Sequence, residues 1–201
     1  GLEQEVPGLV FRKDGATLLN PRTQLENLAG LPDPDYDHYF EPRRRHPRLD
    51  GISVPSYLPV EVSRGCLHKC TFCNFNAGVN YRPRPYAEIS SSMRRLSRRS
   101  RVNAFCLMAL MIPVNQTETF FRTIASRGRS YRLFCEGRAN LSRQQLRVMK
   151  ASGVTELQAG IEALNTSILR KMKKGTRLID NLQVMKYCEE LGIKMNSFLM
   201  L

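Results

Sequence analysis

The chain has 201 residues, the length of one ordinary domain with room for a real core. Hydrophobic residues make up 42%, slightly low for a globular protein but far from a disordered composition, and no apolar run is long enough to cross a membrane. The net charge of +13 permits an acidic partner, RNA included.

In chain order, residues 1–56 are rich in Pro, Gly and Asp. The N-terminus, GLEQEVPG, lacks the basic-then-apolar pattern of a signal peptide, so the expected compartment is a reducing cytoplasm. Asp14-Gly15 offers a turn for a short hairpin around Val10–Leu19. The stretches LPDPDYDHYF and EPRRRHPRLD show neither a helical nor an alternating period, so residues 1–56 read as a loop-rich extension. Arg43, Arg44, Arg45 and Arg48 form a first basic cluster within it.

From residue 57 the character changes. Leu58–Ser63 reads as a strand that leads directly into Cys66-Leu67-His68-Lys69-Cys70-Thr71-Phe72-Cys73. Over Tyr86–Arg101, Ile89, Met93 and Leu96 recur at helical spacing. Arg94, Arg95, Arg98, Arg99 and Arg101 interleave with them and read as that helix's solvated face, with an RNA-binding patch as the alternative. Ala104–Leu110 is a second strand. Asn115-Gln116-Thr117-Glu118 has a capping-box pattern and opens a helix through Arg127. Tyr131–Cys135 is a third strand. Ser142-Arg143-Gln144-Gln145 is another capping box, for a helix ending near Ser152-Gly153. Val154–Ala159 is a fourth strand. Helices follow at Thr166–Lys173 and Leu178–Leu191, and Ile193–Leu201 is a fifth strand.

Strand–helix alternation of this kind predicts an α/β fold with a parallel sheet and helices on its outer face, either doubly wound or a barrel. Both arrangements put functional residues at the C-terminal ends of the strands, and the cysteine run follows the first strand. The fifth strand has no helix after it, so the expectation is a piece that stops before a sixth unit, with an unpaired sheet edge.

Soft thiolates bunched as Cys66, Cys70 and Cys73 read as a metal or iron–sulfur site. Three thiolates can hold three irons of a 4Fe–4S cluster and leave the fourth open. A structural zinc site wants four ligands; His68 supplies the type but lies inside the first spacer. The chain is too large for a disulfide mini-domain, and Cys106, Cys135 and Cys188 sit in apolar runs as small core residues.

CLHKCTFC resembles the CxxxCx(aromatic)C signature of radical S-adenosylmethionine (radical SAM) enzymes. That resemblance implies a partial (β/α) barrel, truncated here after about five strands. It implies a 4Fe–4S cluster on Cys66, Cys70 and Cys73, with S-adenosyl-L-methionine (SAM) chelated at the open iron and cleaved reductively to a 5′-deoxyadenosyl radical. Phe72 would pack near the cluster or the adenine. An electron donor such as flavodoxin or ferredoxin is implied as a partner. The blocks PGLVFRKDG, YRLFCEGRANLS, ELQAGIEALNTSILRKMKKGT and NLQVMKYCEELGIK are similar to radical SAM proteins that carry a cobalamin-binding domain. Within that group they resemble enzymes proposed to mature ribosomally made peptides by C-methylation. On this resemblance residues 1–56 correspond to the linker after a cobalamin domain and 57–201 to a radical SAM core incomplete at its C-terminus. Cobalamin itself is implied only together with an upstream domain, because the chain shows no DxHxxG loop.

Two departures stand out. The three-residue first spacer is shorter than the one that the peptide-maturation members it resembles often have. Leu107-Met108-Ala109-Leu110 offers no carboxylate where relatives often place one near the SAM amino group. The candidate SAM contacts are Glu136 and Arg138 in CEGRAN, then Gln158, Gly160 and Glu162 in LQAGIEAL. Arg138 could pair bidentately with a carboxylate, or else bridge to Glu136 or Glu162. Gly160 would allow close backbone approach, and Glu162 could accept from ribose hydroxyls or simply face a helix N-terminus. Weaker candidates are Asn196, Ser197, Tyr81 and Arg82, and Lys174-Gly175 reads as a helix end. No catalytic residue is assigned. The expected substrate is a peptide or small molecule. The alternatives are an RNA-modifying methylthiotransferase-like enzyme and a zinc-stabilised basic RNA-binding module without catalysis.

Overall fold

The computed structural model describes residues 2–23, 26–46, 48, 57–74, 80–126 and 130–200, with the side chains of Arg43 and Arg44 outside the description. The proposed boundary at residues 56 and 57 and the helix end at Arg127 also fall at least partly outside the described residues.

The chain opens with the expected hairpin. Strand β1 (Val10–Lys13) pairs antiparallel with β2 (Ala16–Leu19), and Val10 stands opposite Leu19. Asp14 and Gly15 both take positive φ, 51° and 81°, the geometry a two-residue turn needs to match the strands' twist. A helix then forms where the sequence showed no period: α1, Asp37–Arg45, with Pro42 inside it. Tertiary anchors outweigh local propensity here. Phe40 is buried in the core, and Tyr36 Oη donates to the Pro59 carbonyl at 2.6 Å.

The central sheet holds β3 (Leu58–Glu61), β6 (Ala104–Met108), β7 (Arg132–Arg138), β8 (Val154–Glu162) and β9 (Lys194–Leu199), all parallel and in that spatial order. Between β3 and β6 lie a small antiparallel ribbon, β4 (Ser63–Arg64) with β5 (Arg82–Pro83), and helix α2 (Tyr86–Ser100). The remaining helices are α3 (Thr117–Ala125), α4 (Arg143–Ala151), α5 (Thr166–Lys171) and α6 (Leu178–Leu191). A doubly wound sheet reverses its strand order partway. This one runs in sequence order from edge to edge, which is the winding of a barrel.

Strand alternation divides the two faces. Phe105 and Leu107 of β6, Leu133 and Cys135 of β7 and Leu157 of β8 are buried with Ile89, Met93, Phe120, Phe121, Leu146 and Val184 of the helices. Cys106, Met108, Glu136 and Gln158 occupy the opposite, half-open face. The reading of Cys106 as a core residue is therefore corrected: alternation turns it away from the helices, whereas Cys135 and Cys188 are core.

The extension runs along α2. Gly30 N donates to Glu88 Oε2 (3.0 Å), Ser92 and Arg95 bind Asp33, and Arg99 reaches Asp35 and Asp37. Two arginines of the presumed solvated face thus have carboxylate partners. The Asn115 capping box does not form. A single 3-10 turn, Val114–Gln116, precedes α3, and the N-cap Gln116 makes no side-chain cap bond. Gln145 Nε2 instead donates to the Val114 carbonyl at 2.6 Å. The Ser142 box forms in both halves, with Gln145 N to Ser142 Oγ at 3.2 Å and Ser142 N to Gln145 Oε1 at 2.8 Å.

Gly153 joins α4 to β8 at φ +100°, where an added Cβ would stand 2.1 Å from the Tyr131 carbonyl oxygen. Gly153→Ala should therefore lower stability by about 3 kcal/mol in urea unfolding. Gly15→Ala, which meets open space, should lose only about 1 kcal/mol. Equal losses would remove the steric argument.

Candidate active site

The cysteine run hangs from the β4–β5 ribbon as a closed loop. Gly65 sits at its neck with φ +77°, and a Cβ there would come within 2.2 Å of the Asn80 carbonyl oxygen. Arg82 Nε donates to that same carbonyl at 3.2 Å. Inside the loop, His68 N donates to Cys66 Sγ (3.4 Å) and Cys73 N to the Cys70 carbonyl (3.2 Å). The far side of the loop is tied down by Thr71 N donating to the Met172 carbonyl at 3.0 Å.

All three thiols of the run line one cavity of about 200 Å³, together with His68, Phe72, Glu136, Arg138, Gln158, Gly160, Glu162 and Lys174. The sequence assigned nine residues to this site, and the fold brings all nine into one wall. They arrive from the cysteine loop and from β7 and β8, which run further than expected. Glu136, Arg138, Gly160 and Glu162 are therefore strand residues rather than loop residues beyond the strands. A second cavity of about 450 Å³ adjoins the first across Leu110 and Glu136. Pro59, Glu61, Cys106 and Met108 line it, with Pro34 and Tyr36 from the extension.

The polar groups of the smaller cavity are arranged around Lys174, which the sequence reading treated only as part of a helix end. Its Nζ donates to Glu162 Oε1 at 2.7 Å, with both residues buried. The same ammonium stands 5.5 Å from the centroid of the Phe72 ring, a cation–π distance. Its backbone carbonyl accepts from Arg138 Nη2. A Cβ on Gly160 would meet Lys174 Nζ at 2.5 Å. The glycine therefore makes room for the ion pair, not for an incoming ligand. Glu162 ends β8 at φ 62°, an uncommon conformation for a residue with a side chain.

Arg138 is buried and bridges to neither Glu136 nor Glu162. Its Nε has no hydrogen-bond partner. Burial, and then the charges of Arg138 and Lys174, push the His68 imidazole below its ordinary value. Burial pushes the Glu136 carboxyl up. Tyr81, pushed up to about 12 chiefly by burial, and Arg82, part of the neck, do not line the cavity. Asn196 and Ser197 pair in register with Gln158 and Ala159, while Phe198 is the β9 residue on the cavity wall. The signal for Lys174 was faint. It is one of five basic residues in LRKMKKGTR, and nothing in that spacing marks which one turns inward.

Among the described residues no three His, Cys, Asp or Glu side chains are gathered closely enough to share one metal ion.

A model of the family described as the Radical SAM superfamily matches residues 60–201. The cobalamin-dependent S-adenosylmethionine radical enzyme OxsB, with aqua-cobalamin bound, superposes with a TM-score of 0.74 at 17% identity, over 97% of this chain and 29% of that one. The same enzyme with aqua-cobalamin and S-adenosylmethionine bound gives 0.72, with the same identity and coverage. Methylornithine synthase (PylB) gives 0.53 at 16% identity, over 80% of this chain and 46% of that one. At such identities the likeness is one of fold, and the chain spans less than a third of OxsB. No curated protein sequence matches.

Two outcomes follow from the charges. Lys174→Met strands the buried Glu162 carboxylate and should lower unfolding free energy by about 3–5 kcal/mol, most of it recovered in Lys174→Met/Glu162→Gln. A loss of less than about 1 kcal/mol would show the pair is solvated. Glu136 has a raised carboxyl, so the stability tied to its burial is present below the unfolded value and lost as pH rises through the folded one. Glu136→Gln should therefore stabilise near neutral pH, and the gain should vanish in acid. A gain independent of pH would contradict the assignment.

Proposed function

Because this chain belongs to the radical SAM superfamily, we propose that Cys66, Cys70 and Cys73 bind a 4Fe–4S cluster at the mouth of the sheet and that SAM occupies the cavity beside it. One observation carries the reading: the three thiols of CLHKCTFC line a single cavity with the C-terminal ends of β7 and β8. That is where a parallel β/α sheet holds its ligands.

The residues present suit both groups. The thiols supply three soft donors and leave a fourth iron open. The His68 N–H already donates to the Cys66 sulfur, and such bonds stabilise a charged thiolate. Arg138 Nε is a buried donor without an acceptor, which a SAM carboxylate would satisfy. Glu162 offers its second carboxylate oxygen to ribose hydroxyls, the first being held by Lys174. When bound, the cluster supplies the electron that cleaves SAM to methionine and a 5′-deoxyadenosyl radical. The chain's own part is to orient: Phe72 covers Lys174 on the loop side, and Glu136 stands where the two cavities meet.

The larger cavity is the chamber for the substrate, a peptide segment or small molecule, and the reaction that fits best is C-methylation or a related modification. Cobalamin would enter only with a further domain. The support is the fold shared with OxsB, an enzyme described as cobalamin-dependent. RNA modification is the second reading. It is weakened by the pairing of Arg95 and Arg99 with Asp33, Asp35 and Asp37, which takes two charges from the basic helix face. A cytoplasmic, reducing setting follows from the cluster.

The test is anaerobic reconstitution with iron and sulfide, then EPR of the dithionite-reduced protein with and without SAM. The expected result is a 4Fe–4S signal that shifts on adding SAM, disappears in Cys70→Ala and persists in Cys106→Ala. Uptake of zinc with no iron-dependent signal would overturn the reading in favour of a zinc-stabilised basic module.

A further inference from the structure

The two cavities on the open face of the sheet differ in charge. The smaller has two cations on its wall, Arg138 and Lys174. The larger, of about 450 Å³, has Glu61 and Glu136 and, among the described residues, no Lys, Arg or His. Composition alone would not place it so, because the chain carries 31 Lys and Arg against 18 Asp and Glu. The two carboxyls are not equivalent. Glu61 is held by Arg64, whose Nε donates to Oε1 at 2.6 Å and whose Nη2 donates to Oε2 at 3.0 Å. Glu136 has no hydrogen bond or ion pair with any described residue, and burial is what acts on its carboxyl. The Tyr36 hydroxyl on the same wall is committed to the Pro59 carbonyl. Glu136 is therefore the one charged group of this wall not already held. Around it the lining is mostly apolar, with Pro34, Pro59, Met108 and Leu110.

Resting on the reading above that the larger cavity is the substrate chamber, we propose that its substrate carries a cation, a primary ammonium or a guanidinium, on an apolar stem, and that Glu136 receives it. A half-buried carboxylate with no partner is unfavourable, and a bound cation supplies the partner that the fold leaves out. The apolar wall suits the stem, since such pockets fix orientation with few polar groups. A phosphate or carboxylate in the same place would face Glu136 with no cation to offset it, and exclusion of this kind gives specificity as much as attraction does. A neutral ligand would leave the carboxyl as unpaired as before. Glu136 lines both cavities, so a cation held there would set its stem in the larger one, beside the place proposed for SAM. The competing occupant is the ammonium of SAM itself, reached from the smaller cavity.

The test titrates hexylamine, hexanol and hexanoate into the protein before and after reconstitution. NMR of isotope-labelled methionine methyls reads the cavity, with the Met108 signal assigned by Met108→Leu. The amine should shift that signal at a concentration at least about tenfold lower than the alcohol, and hexanoate should bind more weakly than either. Glu136→Gln removes the charge and keeps the shape, and should bring amine and alcohol to within about twofold of each other. In the reconstituted protein, the shift of the EPR signal on adding SAM should survive saturation with hexylamine. No preference for the amine in the parent, or a preference that persists in Glu136→Gln, would overturn the proposal. So would loss of the SAM-dependent shift on adding hexylamine, which would assign Glu136 to the ammonium of SAM. If no cluster forms while the preference still depends on Glu136, the cluster reading fails and the cation-binding chamber stands.

Discussion

The mouth of the sheet depends on one ion pair out of water. Lys174 and Glu162 are both buried and 2.7 Å apart. Isolated, either charge would be unfavourable there by several kcal/mol, so each enforces the other's position. The surroundings are shaped to admit them. Gly160 lacks the carbon that would collide with Lys174 Nζ, and Glu162 faces the cavity in the same row of β8. Asn181 Nδ2 then holds the exit of β8 by donating to the Ile161 and Ala163 carbonyls. The cysteine loop is fastened to this fixed point at Phe72 and Thr71. The proposed cluster would need support of this kind, because outer contacts are what orient a metal's ligands.

Charge is distributed with the same economy elsewhere. A net charge of +13 suggests a surface that repels itself, yet the extension carries Asp33, Asp35 and Asp37 to Arg95 and Arg99 of α2. The Arg95 guanidinium holds the Asp33 carboxyl below its ordinary value, by hydrogen bonding before plain attraction. These are exposed or half-exposed pairs, individually weak. Their effect comes from number and from ordering a segment that has little core of its own beyond Leu28 and Phe40. The acid-rich LPDPDYD is therefore one half of an interface whose other half lies about sixty residues on.

That interface also shows where a sequence stops being legible. The hairpin turn and the Ser142 capping box were readable because each is decided within a few residues. Helix α1 was not, because its support is Phe40 in the core and Tyr36 on Pro59, both distant in sequence. The Asn115 box failed for a similar reason: Gln145, two elements away, claims the Val114 carbonyl and a tight turn replaces the cap. At the site, the nine residues singled out from cysteine spacing, strand ends and the family resemblance all line one cavity. Lys174 was lost among its basic neighbours, since only the missing Cβ of Gly160 distinguishes it. Cys106 was misplaced because a continuous apolar run does not reveal its own alternation.

The winding explains why those nine residues meet at all. With strands in sequence order, the core-forming helices pack on one face, and the other face keeps the side chains that a helix would have buried. Register then turns alternation into a site: Glu136 lies beside Gln158, which lies beside Asn196, and Arg138 lies beside Gly160. A slip of one residue would send that row to the helices. At the top of β8 the pairing with β9 is irregular between Ala159 and Glu162, yet alternation holds: Ile161 is buried in the core, and Glu162 faces the cavity with Gln158 and Gly160. Pleating therefore keeps Glu162 in the row of Gln158 and Gly160, and the missing Cβ of Gly160 leaves the space in which its carboxylate meets Lys174. The irregular pairing and the positive φ of Glu162 fall where the strand ends, just beyond that contact.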